Sequence, residues 1–182
     1  MSVFTNPAAS SREQGAAYTS AVLGLLGDRD PREVLEQTAS ALTRACTGLS
    51  TDQMTRPEAT GKWSVRHVLQ HLADSELVWG WRLRLVLAQD RPPLTGYDQD
   101  LWAARLGYDN ASVGQALEEF KVLRRGNLRL LSHASPDDLA RVGVHAERGE
   151  ESVAHMVRLY AGHDLLHIAQ LERIRGAVTG AT

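Results

Sequence analysis

Apolar residues recur every three or four positions through most of the chain, a spacing that places them on one face of an α-helix. The longest such segment runs from about residue 64 to residue 89, and one face of it carries Val65, Leu69, Leu72, Glu76, Trp79, Leu83 and Val86. The same spacing predicts further helices near residues 10–27, 30–49, 99–108, 112–134 and 152–177. No segment alternates apolar and polar residues over enough positions to predict a β-strand.

The ends of these segments carry the residues that helix termini favour. Asp30 can cap the second helix and Pro31 suits its first turn, while Ser64 can cap the longest helix. Pro92 and Pro93 cannot continue a helix, so the longest one must end before them. The connection that follows is long for a helical bundle, and long connections often cover a cavity.

Four substantial helices and a shorter one before them predict an all-α fold, a four-helix bundle with an extra short N-terminal helix. Residues 1–10 are small and polar, and we expect a flexible N-terminus there. The remainder, residues 11–182, has the ordinary size of a single domain.

Charge and cysteine content narrow the class of protein. The chain has 20 basic and 22 acidic residues, and so balanced a charge predicts neither nucleic-acid binding nor attraction to a membrane. No apolar run approaches the roughly 18 residues of a membrane helix, and the first residues do not resemble a signal peptide. Cys46 is the only cysteine, so we expect a soluble cytoplasmic protein in which Cys46 is a small buried apolar residue.

Two histidines four residues apart interrupt the apolar face of the last helix. His163 and His167 lie on a face whose other members are Met156, Leu159, Tyr160, Leu171 and Ile174. Each buried imidazole needs partners for its nitrogen atoms, and a divalent metal meets that need for two neighbouring rings. The pair therefore suggests a metal site, although the same spacing also occurs in ordinary cores.

A metal site needs a third ligand, and the residues alone leave its identity open. His67 and His71 form a second pair at the same spacing on the longest helix, which would allow a site with four histidines. One pair and a single histidine would instead leave an open coordination position. The remaining candidates for that single histidine are His133, His145 and His155. A zinc protease of the HExxH type is not predicted, because Asp164 stands where that motif has glutamate.

Three segments resemble motifs of one protein family. They are GKWSVRHVLQHLADSE at residues 61–76, LTGYDQDLWA at residues 94–103 and LYAGHDLLHIAQLERIR at residues 159–175. Together they resemble the DinB superfamily, and within it the YfiT-like group of metal-dependent hydrolases and bacillithiol transferases. The resemblance spans about residues 30–175 and implies a four-helix bundle of the DinB/YfiT-like type.

Members of that family bind one divalent metal ion through three histidines, and the matching positions here are His71, His163 and His167. Because the motif requires no histidine at position 67, the resemblance favours three ligands over four. It further implies zinc or nickel as the metal and a homodimer as the assembly.

Three neutral imidazoles would leave a bound metal with its full charge and an open coordination position. The resemblance then favours metal-dependent transfer of a low-molecular-weight thiol, of the bacillithiol type, onto an electrophilic substrate in detoxification or stress response. A hydrolase that uses metal-bound water is the second hypothesis. A protein whose metal is structural or absent is the third.

Five further residues are candidates for the surroundings of the metal. Asp74 could orient a ligand imidazole, and an interhelical ion pair is an equal alternative for it. Tyr160 lies one turn before the first histidine of the last helix and could line a pocket, although a plain core position suits it better. His145 and Arg148 could contact an anionic substrate, and Trp102 could cover the pocket.

Overall fold

The structure, a computed structural model, describes residues 12–180, so the N-terminus predicted to be flexible lies outside the described residues. Within that range there are eight α-helices, one short 3-10 helix at Tyr108–Asn110 and three short β-strands. The helices are α1 (Arg12–Leu26), α2 (Pro31–Cys46), α3 (Thr51–Thr55), α4 (Val65–Ala88), α5 (Gln99–Arg105), α6 (Val113–Ser132), α7 (Pro136–Ala140) and α8 (Val153–Thr179). The strands are β1 (Pro93–Leu94), β2 (Val142–His145) and β3 (Gly149–Ser152).

The four longest helices, α2, α4, α6 and α8, pack together as a bundle. Helix α4 contacts both α6 and α8, and α2 contacts the same two helices from the other side. The shorter α1 lies against α8. The predicted all-α fold, with its extra N-terminal helix, is thereby confirmed. None of the helices in the described range has the length and hydropathy to cross a membrane.

The helix ends follow the predicted chemistry with one exception. The side chain of Asp30 accepts a hydrogen bond from the backbone N–H of Arg32, and Pro31 is the first residue of α2. Ser64 occupies the N-cap position of α4, but its hydroxyl forms no capping bond. Instead it lies 2.8 Å from Nδ1 of His67.

Two apolar clusters fill the interior of the bundle, one toward each end. The first includes Leu42, Cys46, Leu69, Leu72, Phe120 and Ile174, and the second includes Leu35, Trp79, Leu83, Val86, Leu131 and Met156. Cys46 is a buried free cysteine, as predicted, and burial raises the pKa of its thiol to about 11. A nucleophilic role for Cys46 is thus disfavoured.

A buried ionic network lies among these apolar residues. The guanidinium of Arg124, on α6, contacts Glu76 of α4 at 2.8 Å and Asp164 of α8 at 2.7 Å. Thr38 donates to Asp164, and the side-chain amide of Asn127 donates to Glu76. Four helices are therefore linked by charged hydrogen bonds that satisfy groups which would be costly to bury alone.

A three-stranded sheet, which periodicity did not predict, joins the two long connections. Strand β1 pairs in parallel with β2, with Pro93 opposite Val144, and β2 pairs antiparallel with β3. The prediction of no strand was wrong because strands of two to four residues are too short to show alternation. The sheet fixes the connection after α4 against the segment before α8.

Candidate metal centre

The bundle brings three of the predicted histidines together. His71 is supplied by α4, and His163 and His167 by α8. Nε2 of His71 lies 3.3 Å from Nε2 of His163, and one ring nitrogen from each residue lies within 4.8 Å of the other two. Spacing of four residues on α8 places both of its rings on the side that faces α4.

All three imidazoles are held in the neutral form. Burial, followed by the proximity of His167, lowers the pKa of His71 well below its usual value. Burial, followed by the proximity of His167 and His71, likewise lowers the pKa of His163 well below its usual value. Burial also lowers the pKa of His167 to about 4, although its hydrogen bond to Gln170 opposes the shift. Neutral imidazole is the form that binds a metal.

Hydrogen bonds outside the cluster select the tautomer of His167. Its Nδ1 lies 2.8 Å from Oε1 of Gln170, which can only accept, so Nδ1 carries the proton. Nε2 of His167 then has its lone pair free. The hydroxyl of Ser75 lies 3.4 Å from Nε2 of His71, whose Nδ1 is buried without a partner.

These residues fit a divalent ion. In a tetrahedral site with bonds of about 2.1 Å, neighbouring ligand atoms are about 3.4 Å apart, close to the separation of His71 and His163. An ion would accept the lone pairs of both Nε2 atoms of His71 and His163, which otherwise can pair at 3.3 Å only if one of them is protonated. Three imidazoles also leave a fourth position for another molecule.

A cavity opens beside two of the three histidines. The space that a water-sized molecule can enter is about 30 Å³, and the unfilled volume is about 410 Å³ when the open solvent at the mouth is included. It is lined by His71, His163, Tyr18, Tyr97, Tyr160, Arg82, Arg148, Gln99, Ser75 and Leu159. Burial raises the pKa values of all three tyrosines, which therefore stay protonated at neutral pH. Within the described part of the chain, no carboxylate lines this space.

Of the residues predicted to surround the metal, some line the cavity in the structure and others do not. Tyr160 and Arg148 line the cavity. Asp74 instead accepts a 2.6 Å hydrogen bond from the hydroxyl of Tyr108, which joins α4 to the connection before α6. Because that bond turns the carboxylate toward the 3-10 helix, Asp74 has no hydrogen bond to the clustered histidines among the described contacts.

His145 and Trp102 lie near the cavity without lining it. His145 ends β2, is buried, and accepts a 3.2 Å hydrogen bond at Nδ1 from the backbone N–H of Glu147. Trp102 lies against the ring of Tyr97 with ring centres 4.5 Å apart, so it supports a lining residue from behind. His67 is also outside the cluster, because its ring is bound to Ser64 and Asp109.

Five polar lining residues were missed by sequence reasoning, namely Tyr18, Ser75, Arg82, Tyr97 and Gln99. They come from α1, α4, the segment after β1 and α5, so no single sequence window contains them. A signal did exist for Arg82. It lies eleven residues after His71 and seven after Ser75, which is helical spacing for one face of α4.

Comparison with known proteins agrees with this fold. Residues 34–171 match the family model described as the DinB superfamily. The chain is 30% identical over 137 residues to a protein of Oceanobacillus iheyensis named "Putative metal-dependent hydrolase", which covers 75% of this chain and 79% of the relative. A Bacillus mycoides protein of the same name is 30% identical over 141 residues, covering 78% of this chain and 81% of the relative.

The class of protein is thus a helical bundle with a histidine cluster. The family match and the similarity to the relatives show that the chain belongs to the DinB superfamily. Its fold is similar to that of a solved structure titled "YfiT from Bacillus subtilis is a probable metal-dependent hydrolase with an unusual four-helix bundle topology". The TM-score is 0.76 at 23% identity, over 96% of this chain and 92% of the other. The DinB assignment is confirmed at the level of family, and the YfiT-like assignment is confirmed at the level of fold.

Proposed function

We propose that this protein is a metal-dependent enzyme that transfers a low-molecular-weight thiol to an electrophilic substrate, with His71, His163 and His167 as the ligands of one zinc or nickel ion. The observation that carries the proposal is the cavity beside the histidines. It contains hydrogen-bond donors but no carboxylate among its described lining residues.

The donor set favours a thiol over water as the nucleophile. A divalent ion at the three histidines would act as a Lewis acid and lower the pKa of a ligand with an ionisable proton. A free thiol has a pKa of about 8.5 and water a pKa of about 15.7, so a thiol needs a smaller pKa shift to lose its proton at neutral pH. The buried carboxylates Glu76 and Asp164 are engaged by Arg124, and Glu151 is engaged by Arg148, so none of the three is free to act as a base.

The lining residues supply positioning. The hydroxyls of Ser75 and Tyr97 lie 2.7 Å apart and form a polar wall next to His71. Arg82 and Arg148 bring positive charge to the same space. These groups can orient a polar substrate. The thiol would lose its proton to solvent, and its sulfur would then form a bond to the electrophilic carbon as the bond from that carbon to the leaving group breaks and the leaving group departs through the open mouth.

Hydrolysis is the second candidate, and the names of the relatives favour it. Both of the relatives described above are named as metal-dependent hydrolases. In that case water would take the place of the thiol, with the same three histidines as ligands. Turnover would then require no thiol and would rise with pH near the pKa of the coordinated water.

Metal content tests the site. Untagged protein measured by plasma mass spectrometry should contain about one ion per chain, and His71→Ala, His163→Ala and His167→Ala should each lose it. His67→Ala is the matched control and should keep the ion, because His67 lies outside the cluster. A wild-type protein without metal after reconstitution, or variants that keep it, would contradict the proposal.

Turnover assays separate the two reactions. Metal-loaded protein is incubated with a haloaromatic or epoxide electrophile and a panel of thiols that includes cysteine, glutathione and bacillithiol. Thiol transfer predicts a conjugate that forms only with metal and thiol together. Hydrolysis of esters or amides in the absence of thiol would instead support the second candidate.

We also propose a homodimer. Three large apolar side chains on neighbouring helices α4 and α6 are more than half exposed, namely Leu77, Trp81 and Val122. Such a patch is typical of an interface between subunits. Light scattering should give twice the chain mass for wild type and the chain mass for Trp81→Glu, whereas Leu106→Glu, at an exposed leucine elsewhere, should remain dimeric.

A further inference from the structure

A buried cation without a carboxylate partner lies beside the histidine cluster. Arg82 of α4 is only 5% exposed. One of its terminal nitrogens donates to the backbone carbonyl of Thr95, and the other lies 3.4 Å from the hydroxyl of Tyr160. Its Nε has no partner, and no carboxylate of the described residues forms an ion pair with it. A buried charge without a counterion is costly unless a bound ligand supplies the missing charge and hydrogen bonds.

A second residue of the same cavity also has a buried donor without a hydrogen-bond partner. Gln99, the first residue of α5, is 3% exposed, and its side-chain Nε2 is buried without a hydrogen-bond partner. Gln99 and Arg82 both line the cavity that His71 and His163 line. Because a guanidinium Nε and an amide Nε2 can only donate, the missing partner must be an acceptor.

The charge balance indicates that this acceptor is an anion. Arg148, the other cation of the cavity, is already neutralised by Glu151 through two hydrogen bonds of 2.5 and 3.0 Å. Arg82 has no such counterion, and the described lining contains no acidic side chain. One positive charge therefore remains, and a planar carboxylate matches a guanidinium better than a neutral group does.

We propose that Arg82 and Gln99 form a carboxylate subsite beside the three histidines, so that one of the two reactants is a carboxylic acid. This deepens the proposed function, since it restricts the thiol or the electrophile to carboxylate-bearing molecules. Which of the two carries the carboxylate is decided by the tests below. Arg82 acts here as a binding and specificity residue.

Binding of matched small molecules tests the subsite without any reaction. Propionate and propionamide have nearly the same shape and differ in charge. Their affinities are measured by ligand-observed NMR titration, on the purified protein and again after metal removal with a chelator. Removing the metal excludes direct coordination of the carboxylate. The subsite predicts that metal-free protein binds propionate at least about ten-fold more tightly than propionamide.

Variants assign that preference to the two residues. Arg82→Met and Gln99→Met should each reduce the preference, and Arg82→Met should abolish it. Arg125→Met, at an exposed arginine of α6, is the matched control and should keep the wild-type ratio. Equal affinities for the two probes in wild type, or an unchanged ratio in a folded Arg82→Met protein, would overturn the proposal. If Arg82→Met does not fold, an unchanged ratio in Gln99→Met overturns it.

Separate thiol assays identify the carrier of the carboxylate. Conjugation with 3-mercaptopropionate is compared with conjugation of 3-mercaptopropionamide, and a preference lost in Arg82→Met places the carboxylate on the thiol. The same comparison with acid and amide forms of the electrophile places it on the substrate. A carboxylate preference in binding without any conjugation would leave the subsite intact and reject the proposed transfer.

Discussion

Nδ1 of His167 lies 2.8 Å from Oε1 of Gln170, one turn later in the same helix. The contact fixes the protonated nitrogen of the ring and leaves the other free for an ion. Gln170→Leu should therefore weaken metal binding about 10–100-fold, as is usual when a ligand histidine loses its outer hydrogen bond. Competition with a chromophoric chelator measures the affinity. Glu172→Leu, at an exposed position two residues further, is the control, and equal affinities in both variants would remove this role from Gln170.

The buried network around Arg124 predicts a large effect on stability. Its side chain and those of Glu76 and Asp164 are at most 3% exposed. Burial alone would lower the pKa of Arg124, but both carboxylates raise it above its ordinary value. Arg124→Leu should cost about 3–5 kcal/mol in urea denaturation, because two buried carboxylates lose their partner.

A combined variant tests the cause of that loss. Adding Glu76→Gln and Asp164→Asn to Arg124→Leu removes the uncompensated charges and should recover part of the stability. No recovery would mean that the packing of the guanidinium, rather than its charge, is what the bundle requires. Arg125→Leu, on the solvent side of α6, should change the unfolding free energy by less than about 0.5 kcal/mol.

Acid should destabilise the metal-free protein through His145. Burial, followed by Arg148 and Arg82, lowers the pKa of His145 to about 4 in the folded state. Between about pH 6.5 and 4 the unfolded chain binds a proton that the folded protein does not, so stability is complete above that range and falls as pH decreases. The loss from this residue reaches at most about 3 kcal/mol.

Replacing His145 isolates its share of the pH dependence. Urea denaturation of chelator-treated wild type and His145→Gln at pH 7, 5.5 and 4.5 gives the two slopes. The slope of the variant should be shallower, while the remaining slope reports the clustered histidines, whose pKa values are also lowered. Identical slopes would contradict the buried neutral state of His145.

A close approach between α1 and α8 predicts the effect of one methyl group. A Cβ at Gly162 would overlap the carbonyl oxygen of Val22 on α1. Gly162→Ala should therefore push the helices apart and cost about 1–3 kcal/mol. Gly126→Ala on α6 is the matched control, since its nearest neighbour atom would be 3.9 Å away, and it should stabilise the helix slightly. Thermal unfolding of both variants checks the pair.

The parts of the molecule that sequence predicted are those in which local spacing decides the outcome. The apolar stripe from Val65 to Val86 implied α4, and the pair His163 and His167 pointed inward for the same reason. His71 as their companion came from a resemblance, because spacing alone left the third ligand open among several histidines. Two contacts settle the position of His67. The contact with Ser64 is local, whereas the contact with Asp109 joins residues 42 positions apart and has no local signature.

The cavity could not be predicted for a related reason. Tyr18, Arg82 and Gln99 converge from three helices, and their relation depends on how those helices pack. The sheet that holds the connections depends on pairing between Leu94 and His145, again far apart in sequence. Arg124 lies next to the apolar face of α6. A charged side chain there could be assigned to the interior only once its two carboxylate partners were located.

The separation of the three histidines along the chain has a consequence for synthesis. His71 and His163 are 92 positions apart, and the other two ligands of the cluster, His163 and His167, both lie on α8. A nascent chain synthesised as far as α6 contains only one of the three imidazoles and cannot chelate an ion. Under the ligand assignment made above, the protein can hold its ion only after α8 has been made and has packed against α4, so a chain truncated before α8 could not retain the metal.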